Sequence, residues 1–195
     1  ASPWGRGSLS PSVFALSVSL AGHTTYRLNV ALSGGATNIY SIFGTADAPM
    51  LLPAAYQVAG EFGTNIGGTS PALWAVAGGE MSRFDSWLTI GITGGDTADQ
   101  LNSIGVAFSL WSATTSLVVD NGAVFYMDPS DGPSGNAVVG QITVPSNSEG
   151  TVAMSMEGQS TSGLGNPWHI PSVVFSYGGA PSPPPSLWGE GDVEP

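Results

Sequence analysis

Cysteine is absent from the 195 residues, which excludes a small fold held by disulfides. Lysine is absent as well. Three arginines, Arg6, Arg27 and Arg83, stand against fourteen carboxylates and leave a net charge of −11. A charge of that sign repels phosphate backbones and anionic lipid, so nucleic acid and membrane surfaces are poor partners. Calcium, cationic surfaces and neutral polymers such as polysaccharide remain. Charged residues of either sign are scarce, 9% of the chain against roughly 25% in an average soluble domain. The surface must then be built from Ser, Thr, Asn, Gln and Gly, as in many secreted proteins. No apolar run approaches the length of a spanning helix. The chain opens on Ala1 without a leader pattern, as a mature N-terminus left by cleavage would.

Enzyme signatures are missing too. Histidine occurs twice, at His23 and His169, and no G-x-S-x-G, P-loop or dinucleotide fingerprint is present. Fourteen acids would place some pair at glycosidase spacing by chance, so that pattern carries no signal. The expectation is a protein that is not an enzyme.

What is present is a period of two. In VFALSVSL (13–20), Phe14, Leu16, Val18 and Leu20 alternate with small polar residues. In TTYRLNVAL (24–32), Tyr26, Leu28, Val30 and Leu32 alternate with Arg27 and Asn29. Alternation of this kind marks half-buried strands. NIYSIF (38–43), ALWAVA (72–77), FDSWLTIGI (84–92), SIGVAFSL (103–110), SLVV (116–119), AVFYM (123–127), AVVGQITV (137–144), TVAMSM (151–156) and SVVFSY (172–177) read the same way. His23 falls in or beside a turn after Gly22, and Asp120-Asn121-Gly122 reads as a type I′ hairpin. One helical turn is expected at 97–104 and another at 51–60. About ten strands with so little helix predict an all-β fold, a two-sheet antiparallel β-sandwich of Greek-key or jelly-roll type. Its limits are 13–179, with an extended arm over 1–12 and a Pro-rich acidic tail over 180–195.

Two constellations bear on ligands. The loop MDPSDGPSGN (127–136) gathers Asp128, Asp131 and Asn136, with Ser134, oxygen donors of the kind calcium takes. Asp and Asn also occupy turns for local reasons, by bonding their own backbone. Trp74, Trp87 and Trp111 fall in expected strands and Trp168 in a loop. A tryptophan-bearing sheet face is one way to hold a glycan. Packing in the core or beneath a loop is the plainer expectation, and Trp87 is out of phase with Leu88 and Ile90.

The tail follows different rules. APSPPP (180–185) favours an extended polyproline path, and SLWGEGDVEP follows it. No asparagine lies in N-x-[ST], which excludes N-glycans. Ser182-Pro183-Pro184-Pro185 resembles the Ser-Pro-Pro-Pro motifs of hydroxyproline-rich plant and algal wall glycoproteins. That resemblance implies O-linked sugar on Ser182, Pro183, Pro184, Pro185 and Ser186. HTTYRLNVAL, FDSWLTIGITGGD and VDNGAVFYMDPSDGPSG resemble secreted domains of extracellular fibre and wall proteins from algae and aquatic protists. The likeness covers the central two-thirds of the chain and implies an extracellular, structural setting.

Each arm carries one tryptophan, Trp4 and Trp188. A large aromatic in a polar arm expects a pocket to bury it. If that pocket lies on the next copy, the contact is head-to-tail and generates a filament. LSPSVFALSVSL (9–20) alternates cleanly enough to complete a neighbour's sheet, although first strands usually pair at home. The expected docking residues are Trp4, Phe14, Leu16, Val18, Leu20, Leu187 and Trp188. The reading is a homopolymeric subunit of an extracellular fibre or surface coat. The alternative is a carbohydrate-binding module, with or without calcium.

Overall fold

The structure, a computed structural model, describes residues 7–161 and 167–178. Eleven strands are found among them: β1 (Ser8–Ala15), β2 (His23–Ser33), β3 (Ser41–Gly44), β4 (Met50–Leu52), β5 (Trp87–Leu88), β6 (Leu101–Ile104), β7 (Leu117–Val119), β8 (Gly122–Tyr126), β9 (Asn136–Pro145), β10 (Gly150–Gly158) and β11 (Trp168–Tyr177). All pair antiparallel, in a four-stranded sheet ordered β1-β2-β9-β5 and a seven-stranded sheet. In the second, β3 and β4 lie end to end against β10, and β8 and β7 continue the same ladder on their other side. β6 and β11 close its two edges.

The fold is the expected all-β two-sheet sandwich. Its core is one cluster to which both sheets contribute. Leu28, Val30, Leu88, Ile142 and Val144 come from the smaller sheet, and Ile42, Met50, Val124, Val152, Met154 and Phe175 from the larger. Period-two burial delivers these side chains to the inner faces. The opposite phase of β2 and β9, with Thr25, Arg27, Gln141 and Thr143, therefore faces outward on the smaller sheet.

Local readings needed correction. The arm assigned to 1–12 ends sooner, because β1 already begins at Ser8 and pairs Ser8 with Ser33. The pairing of Leu16 N–H with Thr25 O sets the alternation, and it turns the nitrogen of Pro11 away from β2. A proline is tolerated there, on an edge strand at a position that donates nothing to the ladder. The strand then stops at Ala15, short of the expected Leu20.

ALWAVA is no strand. Pro71–Ala75 forms a 3₁₀ turn, started by Pro71 and by Ser70, whose hydroxyl accepts from Ala72 N–H at 3.4 Å. The second half of the helical turn expected at 97–104 is instead β6. The Asp96 carboxylate takes the N–H groups of Gln100 (3.0 Å) and Leu101 (2.7 Å), and Asp99 adopts φ 51°, which breaks a helical path. Asp120-Asn121-Gly122 is not a hairpin. β7 and β8 pair with β4 and β3, not with each other, and neither Asn121 nor Gly122 has positive φ. The sequence marks a kink in one long ladder. Gly122 is needed there because Gly105 and Val119 crowd the place a Cβ would take.

Candidate docking site

The expected docking row divides on the smaller sheet. Val13 and Leu9 turn inward and pack on the core. Phe14, opposite Arg27 in register, points outward and is 58% exposed. Leu16 and Val18 follow on the same outer side, and Val18 is 49% exposed. Leu20 is half-buried at the turn, where its carbonyl accepts from His23 N–H. β1 pairs within its own domain over its whole length, so residues 9–15 of the expected donor segment 9–20 are not free to complete a neighbour's sheet. Trp4, Leu187, Trp188 and the candidate glycosylation positions Ser182–Ser186 lie outside the described residues.

Leu16, Ser17 and Val18 form one wall of a cavity of about 210 Å³, whose other walls are Arg27, Trp74, Arg83 and Phe84. Three unconnected stretches meet there: the end of β1, the middle of β2 and the 3₁₀ turns at Pro71–Ala75 and Glu80–Phe84. Gln141, buried in β9, ties them together. Its Oε1 accepts from Arg27 Nε at 2.6 Å, and its Nε2 donates to the carbonyls of Arg83 (3.0 Å) and Asp85 (2.6 Å). Arg27 also lies over the ring of Trp87, 4.8 Å from its centroid, and Arg83 over that of Phe84 at 5.2 Å. Trp87 is 1% exposed, outside the main core cluster. That is the packing beneath a loop that its phase foretold. Its Nε1 is buried and has no hydrogen-bond partner among the described residues.

The electrostatics of this site are unusual for so acidic a chain. Arg27 and Arg83 use Nε, to Gln141 and to Glu80 O at 3.2 Å, and among the described residues no carboxylate pairs with either guanidinium. Burial holds the pKa of Arg27 below its ordinary value. The neighbouring acids are committed elsewhere. Glu80 accepts from Gly78 N–H at 3.0 Å, and Asp85 from the N–H groups of Val58, Thr64 and Ser86. The terminal nitrogens of two of the chain's three cations thus keep free donor capacity toward one cavity.

The other candidates fare differently. Asp128 Oδ1 accepts from Ser130 N–H (2.9 Å) and its hydroxyl (2.6 Å), which holds its pKa below the usual carboxylate range, while Asn136 opens β9 opposite Ala31. Asp131 N–H closes the same turn onto Asp128 O. No group of three or more His, Asp or Glu side chains suited to a metal occurs among the described residues. Trp111 and Trp168 are buried and bond Pro53 O (2.7 Å) and Asn38 O (2.9 Å), so neither offers a sugar platform. Trp168 opens β11 and is not in a loop, while Trp111 and Trp74 lie outside the strands. Sequence reading missed three exposed side chains on the larger sheet, Val118, Leu51 and Val174, which stand in register with the buried Ala153 across β7, β4, β10 and β11. Val118 is 63% and Val174 47% exposed, an apolar line of the kind seen at protein contacts. Only the alternation of each strand's outward residues would have revealed it, once the strand order was known. Comparison with protein-family models, with curated proteins and with solved structures returns no match.

Proposed function

We propose that the chain is a structural subunit of an extracellular filament or cell-surface coat, joined head-to-tail through its terminal arms. The observation that carries this reading is the outward row Phe14, Leu16 and Val18, of which Phe14 and Val18 are exposed, beside the guanidiniums of Arg27 and Arg83, with which no carboxylate pairs among the described residues. An apolar surface of that kind is stable in water only at a cost, and a neighbouring copy removes it. The scarcity of charge supports the same reading, because a hydroxyl- and amide-rich surface packs beside glycans without stranding ions. So does the Pro-rich run 181–185, a stiff connector whose Ser182–Ser186 stretch accepts O-linked sugar.

Negative-stain electron microscopy of native material, beside the chain lacking residues 180–195, tests this. Filaments that vanish on truncation are expected. Dispersed particles of the 19.7 kDa chain in both samples would overturn assembly and leave the carbohydrate-binding module. Mass spectrometry of the tail peptide from the native source tests the sugar separately. Unmodified Ser182–Ser186 would remove the glycoprotein part alone.

A further inference from the structure

The cavity beside β1 and the tail are complementary in chemistry. The cavity offers an apolar wall of Leu16, Val18, Trp74 and Phe84, and two guanidiniums without a counter-charge among the described residues. The segment Leu187–Glu194 holds one leucine, one tryptophan and three carboxylates, Glu190, Asp192 and Glu194, with no cation. We infer that this cavity receives the Leu187–Glu194 segment of a second copy, Trp188 against the apolar wall and the carboxylates facing Arg27 and Arg83. The inference rests on the head-to-tail reading and names its contact.

Four observations carry it. First, a half-buried guanidinium without an anion is costly, and Arg27 is oriented by its hydrogen bond to Gln141 and its stacking over Trp87. An incoming carboxylate meets a charge already desolvated and oriented. Second, the cavity of about 210 Å³ is below the roughly 300–1,000 Å³ of small-molecule sites and of the scale of one large side chain. Third, net charge −11 makes acidic segments repel most of this protein's surface, so two converging arginines form a distinct attractive point. Fourth, geometry favours a neighbour over the chain's own tail. β11 ends at Tyr177, whose ring lies 5.7 Å from that of Tyr26, on the core side of β2. Arg27 is on the opposite face. A chain's own tail, which leaves Tyr177 through Gly178, Gly179 and Ala180 before Pro181, would have to round the edge strand β1 to reach it.

The test uses two full-length variants and sedimentation velocity. Arg83→Glu disables the cavity and keeps the tail. The triple change Glu190→Gln, Asp192→Asn, Glu194→Gln, combined with Trp188→Ala, disables the tail and keeps the cavity. Circular dichroism and thermal melting confirm that Arg83→Glu folds, and the tail variant leaves the described fold untouched. The wild type is expected to assemble, each variant alone to sediment as a monomer, and their equimolar mixture to give a dimer that goes no further. The milder Arg83→Gln is expected to weaken association about tenfold. A wild type that assembles beside variants that assemble equally well would overturn this contact and leave assembly through another segment. Variants that stay monomeric when mixed would overturn it as well. A monomeric wild type at every concentration would overturn both this contact and the assembly reading.

Discussion

Asp85 has the least water around it of any acid described. Its carboxylate is fully buried, and burial raises its pKa from 3.8 to about 6, although the N–H groups of Thr64, Val58 and Ser86 pull it back. The folded state therefore binds this proton more tightly than the unfolded chain. Its contribution to stability is complete below about pH 4 and is lost as pH rises through about 6. The gap of about 2 pH units corresponds to about 3 kcal/mol. Between pH 4 and 7 the wild type should lose about that much stability relative to Asp85→Asn, measured by urea unfolding at each pH. Parallel pH profiles for the two proteins would show that Asp85 ionises normally in the fold. A second residue, Gly158, is fixed by contact. A Cβ there would strike Asn38 O and the Trp168 ring, and would displace the hydrogen bond between them. Gly158→Ala should cost about 3 kcal/mol in the urea midpoint, from overpacking plus a lost buried bond. Neither residue could be singled out from sequence. Asp85 follows Phe84 in an ordinary strand pattern, and only the loops folded over it remove its water.

Elements were legible where the side-chain period was long and uninterrupted. β2, β9, β10 and β11 were read from alternation alone, because a sheet with one buried face demands it. They were misread where a local bond outweighed pattern, as Asp96 did at β6 and Ser70 at the Pro71–Ala75 turn. The Asn121-Gly122 kink supplies a clean check. A type I′ turn would make Asn121 costly to replace, whereas here it is exposed and without positive φ. Asn121→Ala should change the melting free energy by less than about 0.5 kcal/mol. β1 supplies another. Removal of residues 1–6 supplies the reference for a deeper truncation. Removing 1–12 strips five residues from β1, with Leu9 from the core edge, and should lower stability by about 2–3 kcal/mol. Equal melting temperatures for the two truncations would mean that Ser8–Ser12 do not pair with β2.

At the scale of the molecule, charge separates specific from general association. Net charge −11 repels copies from one another, and the contact proposed between two arginines and an acidic segment would work against that repulsion. Raising salt from 0.05 to about 0.5 M shortens the Debye length severalfold and should weaken assembly measured by sedimentation. Assembly that strengthens steadily with salt would instead point to apolar contact, through the Val118–Leu51–Val174 row.

Composition and period determined the class of this protein. Period-two apolar runs with little helix lead to an all-β sandwich, because alternation is a property of the chain before it folds, while the absence of cysteine and lysine and the negative charge bound only its chemistry. The same is true of the proline-rich, acidic composition of residues 180–195. What only tertiary structure decided is which residues meet. Leu16, Arg27, Trp74 and Arg83 are spread over more than 60 positions, and strand order brings them to one cavity with Gln141, from far along the chain, bonded beneath Arg27. A sequence records that three arginines exist. Whether two of them share a cavity with no carboxylate paired to them among the described residues depends on how the 3₁₀ turns at 71–84 lie across β2 and β9, which no local pattern encodes.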